Sequence, residues 1–369
     1  MGVGRRATAV RWGIVAALVA VLAALPSVIG ALPAWDSGVS APELRARVLA
    51  SDGVGFTGYA ESAGGLALPV TDQLTSVADL LSARTTMRVW WRSPADNRVD
   101  VVTATGETGT HRDASGTWTW DYESATATRT AATPLDLPAP PDLLPSSLGR
   151  RLLSEAADGE LHRIGARRVA GRAALGVRLM PGDPASSVSR VDLWVDGSSG
   201  VPLRVQVMGK GARRAALDTR FLDLELGRPA ASLTAFTPPP GSTVREGRTA
   251  EVVLEAGERL RPVPLPGELA GLPRRRLEGA PSAIGLYGRG VTLLAVAPVP
   301  PRLAGGLRDA LARSPGAVVD ESGIRLSVGP MGLMLVEPPG RGPYVLTGTV
   351  TTDALAAAAA QLPELGERP

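Results

Sequence analysis

The chain has two histidines and no cysteine. That excludes disulfides, thiolate metal centres and a cysteine nucleophile, and leaves little for a zinc site built on imidazole. His111 stands two residues from Asp113, on one face if the segment is extended, which is the placement of a base with an orienting acid. No nucleophile stands beside the pair, and the stretch reads as a solvated hairpin edge; His162 reads the same way. Asp192 and Asp196 fall four apart on an alternating segment, about 13 Å by strand rise, too far for the paired acids of a glycosidase. Gly197-Ser-Ser-Gly200 is a turn without a strand-to-helix elbow, and Gly285-Leu-Tyr-Gly-Arg-Gly290 lacks the Lys-Ser/Thr of a phosphate loop. Lys210, the one lysine, lies between two glycines and reads as a turn residue. These groups assemble no reaction centre. The expectation is a protein that is not an enzyme and uses no cofactor and no metal.

Charged residues make up 20% of the 369 and the net charge is +3, so no nucleic-acid partner is expected. Arg213-Arg214 and Arg274-Arg-Arg276 are the densest basic spots and read as solvated loops. What stands out is apolar residues with a period of two. Met87, Val89 and Trp91 share one strand face, Trp118, Trp120 and Tyr122 another, and Val191, Leu193 and Val195 a third. A curled sheet must put such faces onto its own helices or around an apolar guest. Trp90 and Trp194 fall on the charged faces of their strands, lodged under a loop or free for a partner.

The elements that carry these faces are short and broken by turn residues. Strands are predicted near 85–92, 98–102, 117–122, 125–130, 161–169, 172–180, 190–196, 202–208 and 218–226, with Thr105 to Gly109 as a turn. A helix capped by Ser146 or Ser147 is predicted to run to about Ala157, with Leu148, Leu152 and Leu153 as its apolar stripe and Arg150 and Arg151 facing water. Residues 242–282 read as a linker or strap. Strands and two helices, from Pro301 and from Thr352, suggest a small C-terminal α+β domain over 283–362. Trp12 to Leu32 is uncharged and follows Arg5, Arg6 and Arg11, which suits a membrane anchor within residues 1–35, or the core of a cleaved signal peptide. Either reading puts the bulk of the chain outside the membrane, anchored by a single pass or exported.

The fold class expected is mainly β: a curled antiparallel half-barrel over 43–241 with short lid helices, the C-terminal α+β domain, and an N-terminal transmembrane helix. The run Met87-Arg-Val-Trp-Trp-Arg-Ser-Pro-Ala-Asp-Asn-Arg-Val-Asp100, then Gly116-Thr-Trp-Thr-Trp-Asp-Tyr122, Arg190-Val-Asp-Leu-Trp-Val-Asp196, Gly200-Val-Pro-Leu-Arg-Val205 and Phe236-Thr-Pro-Pro-Pro-Gly241 resembles the LolA/LolB lipoprotein-carrier superfamily. It is most similar to the MucB/RseB-type extracytoplasmic regulators in an actinobacterial form. The resemblance implies a half-open barrel with an apolar concave wall of Met87, Val89, Trp91, Trp118, Trp120, Val191, Leu193 and Leu203 and a lid bearing Leu148, Leu152 and Leu153. It implies a lipid or lipoprotein acyl chain as ligand and a membrane anti-sigma factor as regulatory partner. The alternative is a non-catalytic envelope module for protein interaction with a closed core.

Overall fold

The computed structural model describes residues 34–65, 84–103, 106–131, 138–247, 264–276, 283–337 and 342–363, with Trp12 and Val15. The expected anchor, residues 12–32, otherwise lies outside the described residues. Among those described, no helix is long and apolar enough to cross a membrane.

The first element described in full is a short helix, α1 (Ala41–Ala50), with the Ser40 side chain accepting from the Glu43 amide. Strands follow as β1 (Phe56–Gly64), β2 (Arg84–Ser93), β3 (Asp96–Val102), β4 (Glu107–Asp113), β5 (Gly116–Asp121) and β6 (Thr126–Thr130). Helix α2 (Pro145–Ser154) interrupts them. Then come β7 (Leu161–Val169), β8 (Arg172–Leu179), β9 (Val188–Asp196), β10 (Pro202–Gly209), β11 (Leu217–Leu226), the one-turn α3 (Ala231–Thr234) and β12 (Thr243–Glu246). They form one open 12-stranded sheet in the order β12-β6-β5-β4-β3-β2-β1-β11-β10-β9-β8-β7. Every pairing is antiparallel except β12 on β6. A sheet this wide curls under its own twist, and α1 and α2 pack on one side of it.

Three local expectations change. Of the turn expected over Thr105 to Gly109, residues Glu107, Thr108 and Gly109 belong to β4, because β3 pairs with them on one side and β5 with Thr108 and Gly109 on the other. Helix α2 begins at Pro145, whose fixed φ and missing amide suit the first position, so Ser146 and Ser147 lie inside the first turn rather than capping it. Residues read as strap also enter sheets: β12 extends the first, and a hairpin at 268–275 joins the second.

That second sheet contains β13 (Glu268–Leu269), β14 (Leu272–Arg275), β15 (Gly285–Arg289), β16 (Thr292–Pro298), β17 (Val318–Asp320), β18 (Gly323–Val328), β19 (Met331–Val336) and β20 (Tyr344–Gly348). Its order is β13-β14-β15-β16-β20-β19-β18-β17. Helices α4 (Pro301–Ala312) and α5 (Thr352–Ala360) accompany it, and Thr351 caps α5 by accepting from the Ala354 amide. Its core gathers Tyr287, Leu294, Tyr344, Leu346 and Leu355. The two sheets meet through a bridge between Ser186 and Val350 and through backbone bonds from Ser187 to Thr349 and from Thr351 to Ala185. Two forked ion pairs join the same boundary, Arg275 on Glu155 and Arg289 on Glu160.

Candidate ligand-binding face

Register decides which side chains share a surface. Met87 pairs with Ala60, Val89 with Gly58 and Trp91 with Phe56. Ala60 pairs with Phe221 on β11, Thr219 with Val205 on β10, and Val205 with Leu193 on β9. Leu193 then pairs with Val177 on β8. Met87, Val89, Trp91, Val191 and Leu193 therefore lie on one face, and Leu203, at an irregular pair beside β9, is buried among them. Phe56 stacks on Trp91 at 5.8 Å and meets Phe221 edge-on at 5.4 Å. Helix α2 and the turn at 140–143 cover this face: Leu143 and Leu144 join the cluster around Val89, and Leu153 joins the one around Leu193. Leu148 packs against both clusters, and Leu152 against the second. Helix α2 comes close because Gly149 has no side chain; a Cβ there would lie 2.8 Å from the Pro202 ring and 3.2 Å from Leu193.

Across β3 to β6 the same face changes character. Val99 pairs with Thr110, Thr110 with Thr119 and Thr119 with Thr128. The covered face thus has an apolar half and a half lined by threonine.

Trp118 and Trp120 are not on it. Trp118 pairs with His111, His111 with Arg98 and Arg98 with Trp90, so the two tryptophans belong to the opposite, outer face. There they close around Phe236, which lies 5.7 Å from Trp118, 6.0 Å from Trp120 and 4.7 Å from His111. The expected concave wall is corrected accordingly. Its physical cause is a strap: the chain returns after β11 and lays Phe236 over β4 and β5, giving the outward tryptophans an apolar partner. His111 was expected in solvent and is only 4% exposed. Its Nδ1 donates to the Thr234 carbonyl at 3.1 Å. Burial pushes the imidazole's pKa below its ordinary value, and the Thr234 bond opposes this only in part. The acid near His111 is Asp100, fully buried and forked by Arg98; the sequence pointed to Asp113, which turns back to Ser115.

The outer face is an array of arginine–aspartate forks. Arg178 grips Asp192 at 2.6 and 2.8 Å, and Arg204 grips Asp218. Arg172 grips Asp196, to which Ser198 and Ser199 also donate. Burial alone would raise the Asp196 pKa, but these donors outweigh it and bring it down to about 2. Asp192 and Asp196 are thus structural acceptors. Trp194 is buried between Arg167 and Arg204, and Trp90 lies beneath Arg98. Among the described residues no group of acidic or histidine side chains is arranged to hold a metal.

The fold that carries this face, an open, curled and mainly antiparallel β-sheet, is similar to that of MucB. The model of the MucB/RseB N-terminal domain matches residues 130–240. Among solved structures, the MucA/MucB complex of Pseudomonas aeruginosa is 18% identical, with 89% of this chain and 99% of that one covered and a TM-score of 0.50. MucB in complex with MucA(peri) is 16% identical over 89% of this chain and all of that one, with a TM-score of 0.49. A LolA superfamily protein from Nitrosomonas europaea is 10% identical, with 54% of this chain and 99% of that one covered and a TM-score of 0.23. No curated protein matches.

Proposed function

We propose that the chain is an extracytoplasmic binding protein whose half-barrel takes an apolar chain, of a lipid or a lipoprotein, on the face beneath α2. The observation that carries this is the continuity of that face: large apolar residues from β8 through β3 form one surface, covered by the short helices α1 and α2 rather than by a second sheet. The MucB/RseB domain match and the MucA/MucB likeness support a further step, in which occupancy is reported to a membrane anti-sigma factor. Residues 12–32 are the proposed anchor or export signal. Burying hydrocarbon stabilises by roughly 0.8 kcal/mol per methylene, about 8 kcal/mol for a ten-carbon chain before the ordering costs of binding are subtracted.

Displacement of a fluorescent fatty acid from the full chain tests the ligand. Val89→Arg places a charge among Phe56, Met87 and Leu203, and probe binding is expected to fall at least tenfold, whereas Arg88→Glu on the outer face leaves it unchanged. Folding is checked by circular dichroism. Absence of probe binding to the wild type would sink the proposal.

One observation favours the second reading, a protein-interaction module. Strand β17 ends the second sheet with its outer edge unpaired among the described residues, and its Val318 and Val319 are 52% and 63% exposed. An open apolar edge of this kind accepts an added strand. If no lipid probe binds while a periplasmic anti-sigma peptide does, this reading replaces the first.

A further inference from the structure

One cross-strand row lies at the end of the covered face nearest the β2–β3 turn. It runs Phe56, Trp91, Asn97, Arg112, Thr117, Thr130, each residue directly opposite the next. The surface passes from aromatic to cationic within two strand spacings, about 10 Å. Two atoms in this row are buried without a hydrogen-bond partner, Trp91 Nε1 and Asn97 Oδ1. They sit on directly opposed residues and yet do not satisfy each other. The remaining unpartnered buried side-chain atoms of the described residues belong to Ser62, on the same face, and to Ser146 and Ser147, on α2 above it. Orphaned polar atoms are rare in folded proteins; here all of them fall on one side of the sheet.

On the outer face Arg98, Arg172, Arg178 and Arg204 each fork onto an aspartate, while Arg129 and Arg167 lie against Trp118 and Trp194. Arg150, expected in solvent, instead leans from α2 over Trp91, its guanidinium carbon 5.6 Å from the ring centre. Its one side-chain hydrogen bond among the described residues is a long 3.5 Å contact to the Ser51 carbonyl, and it makes no ion pair there. Burial pulls its pKa below the ordinary value, and the field of Asp52 only partly offsets this. The half-buried Arg112 side chain makes neither a hydrogen bond nor an ion pair among the described residues. Arg150, over Trp91, and Arg112, two strand spacings from it, thus keep most of their donors unused, near an unpaired indole N–H and an unpaired amide oxygen at one end of the apolar surface.

We propose that Arg150, Arg112 and the Trp91 indole N–H anchor an oxyanion, the phosphate or carboxylate head of an anionic lipid whose tail lies along the apolar half of the face. Guanidinium forks match the paired oxygens of such a head, the indole supplies a third donor, and Asn97 Oδ1 accepts from a hydroxyl on the same head. The inference deepens the proposed function and rests on it: the apolar half gives affinity for the tail, and this end selects the charge of the head.

Isothermal titration of the full chain with decyl phosphate, decanol and inorganic phosphate separates the contributions. Decyl phosphate is expected to bind at least about tenfold more tightly than decanol, as one charge-assisted hydrogen bond would provide, and inorganic phosphate far more weakly than either. Arg150→Gln and Arg112→Gln, folded by circular dichroism, should each lose that preference while keeping decanol affinity. Arg88→Gln on the outer face should change nothing. Arg150→Lys, which keeps the charge without the fork, should lie between. In nitrogen-15 spectra the Trp91 indole N–H, assigned with Trp91→Phe, should move downfield with decyl phosphate and not with decanol. Equal binding of decyl phosphate and decanol overturns the anchor and leaves the apolar site standing. Binding of neither overturns both. Inorganic phosphate binding as tightly as decyl phosphate overturns the lipid assignment in favour of a free-anion site.

Discussion

Gly149 is where the cover of the apolar face can be tested by a single methyl group. In an exposed helix interior, Gly→Ala stabilises by about 1 kcal/mol through backbone entropy. In α2 the added Cβ would lie 2.8 Å from both Cβ and Cγ of Pro202 and 3.2 Å from Leu193 Cδ2. A proline ring has no rotamer to yield with, so the helix itself must shift. Overpacking of this kind costs roughly 1–3 kcal/mol, so Gly149→Ala is expected to be destabilising by about 1 kcal/mol net. Gly149→Val, larger and a poorer helix former, should cost about 3 kcal/mol. Gly306, in α4, is the control: a Cβ there would have nothing within 4 Å, and Gly306→Ala should stabilise by about 0.5–1 kcal/mol. The assay is denaturant unfolding followed by circular dichroism, with fluorescent fatty-acid uptake measured in parallel. If α2 is a cover that must lift, Gly149→Ala should take up probe faster than wild type although it is less stable. A Gly149→Ala protein more stable than wild type would refute the seating of α2 on β10, and with it the covered face.

Further outcomes follow from the buried polar groups. His111 has a depressed folded pKa, so the unfolded chain binds the proton more readily; stability should fall as pH drops below about 6.5, and urea midpoints of His111→Gln should lose that slope. Asp196→Ala removes the acceptor of Arg172, Ser198 and Ser199 and should cost about 2–3 kcal/mol by the same unfolding assay, less than a fully buried pair because Arg172 is partly exposed. At the junction of the sheets, the Arg275 bond and the Gly290 amide lower the Glu155 pKa; for Glu160, burial pushes upward but is outweighed by the Arg289 fork and the Gly182 and Ala157 amides. Both carboxylates therefore support the junction above their ordinary pKa and lose that support as pH falls through the depressed values. Hydrogen exchange at Gly290 and Val291 should rise below about pH 4.5 and should already be raised at neutral pH in Arg289→Ala.

Within a strand, alternation was enough to read the covered face. Met87, Val89 and Trp91, and again Val191 and Leu193, are large and apolar at every second position, and the pleat leaves them no choice but a common side. The helix bearing Leu148, Leu152 and Leu153 was legible for the same local reason, and so was the absence of thiol chemistry. Between strands the sequence is silent about which side joins which. In β5, Trp118 and Trp120 alternate with Thr117 and Thr119, and apolar size alone sends the tryptophans inward; the register with β4 sends them outward, beside His111 and Arg98. That arrangement is stable only because Phe236, more than a hundred residues further on, returns to cover them. Arg150 repeats the lesson, since its charge and helical position point to water and only the approach of α2 to β2 lays it over Trp91. Periodicity is a property of neighbouring residues and survives in the sequence. Register, covering straps and the partners left to a buried charge depend on contacts between distant segments, and those exist only once the chain has folded.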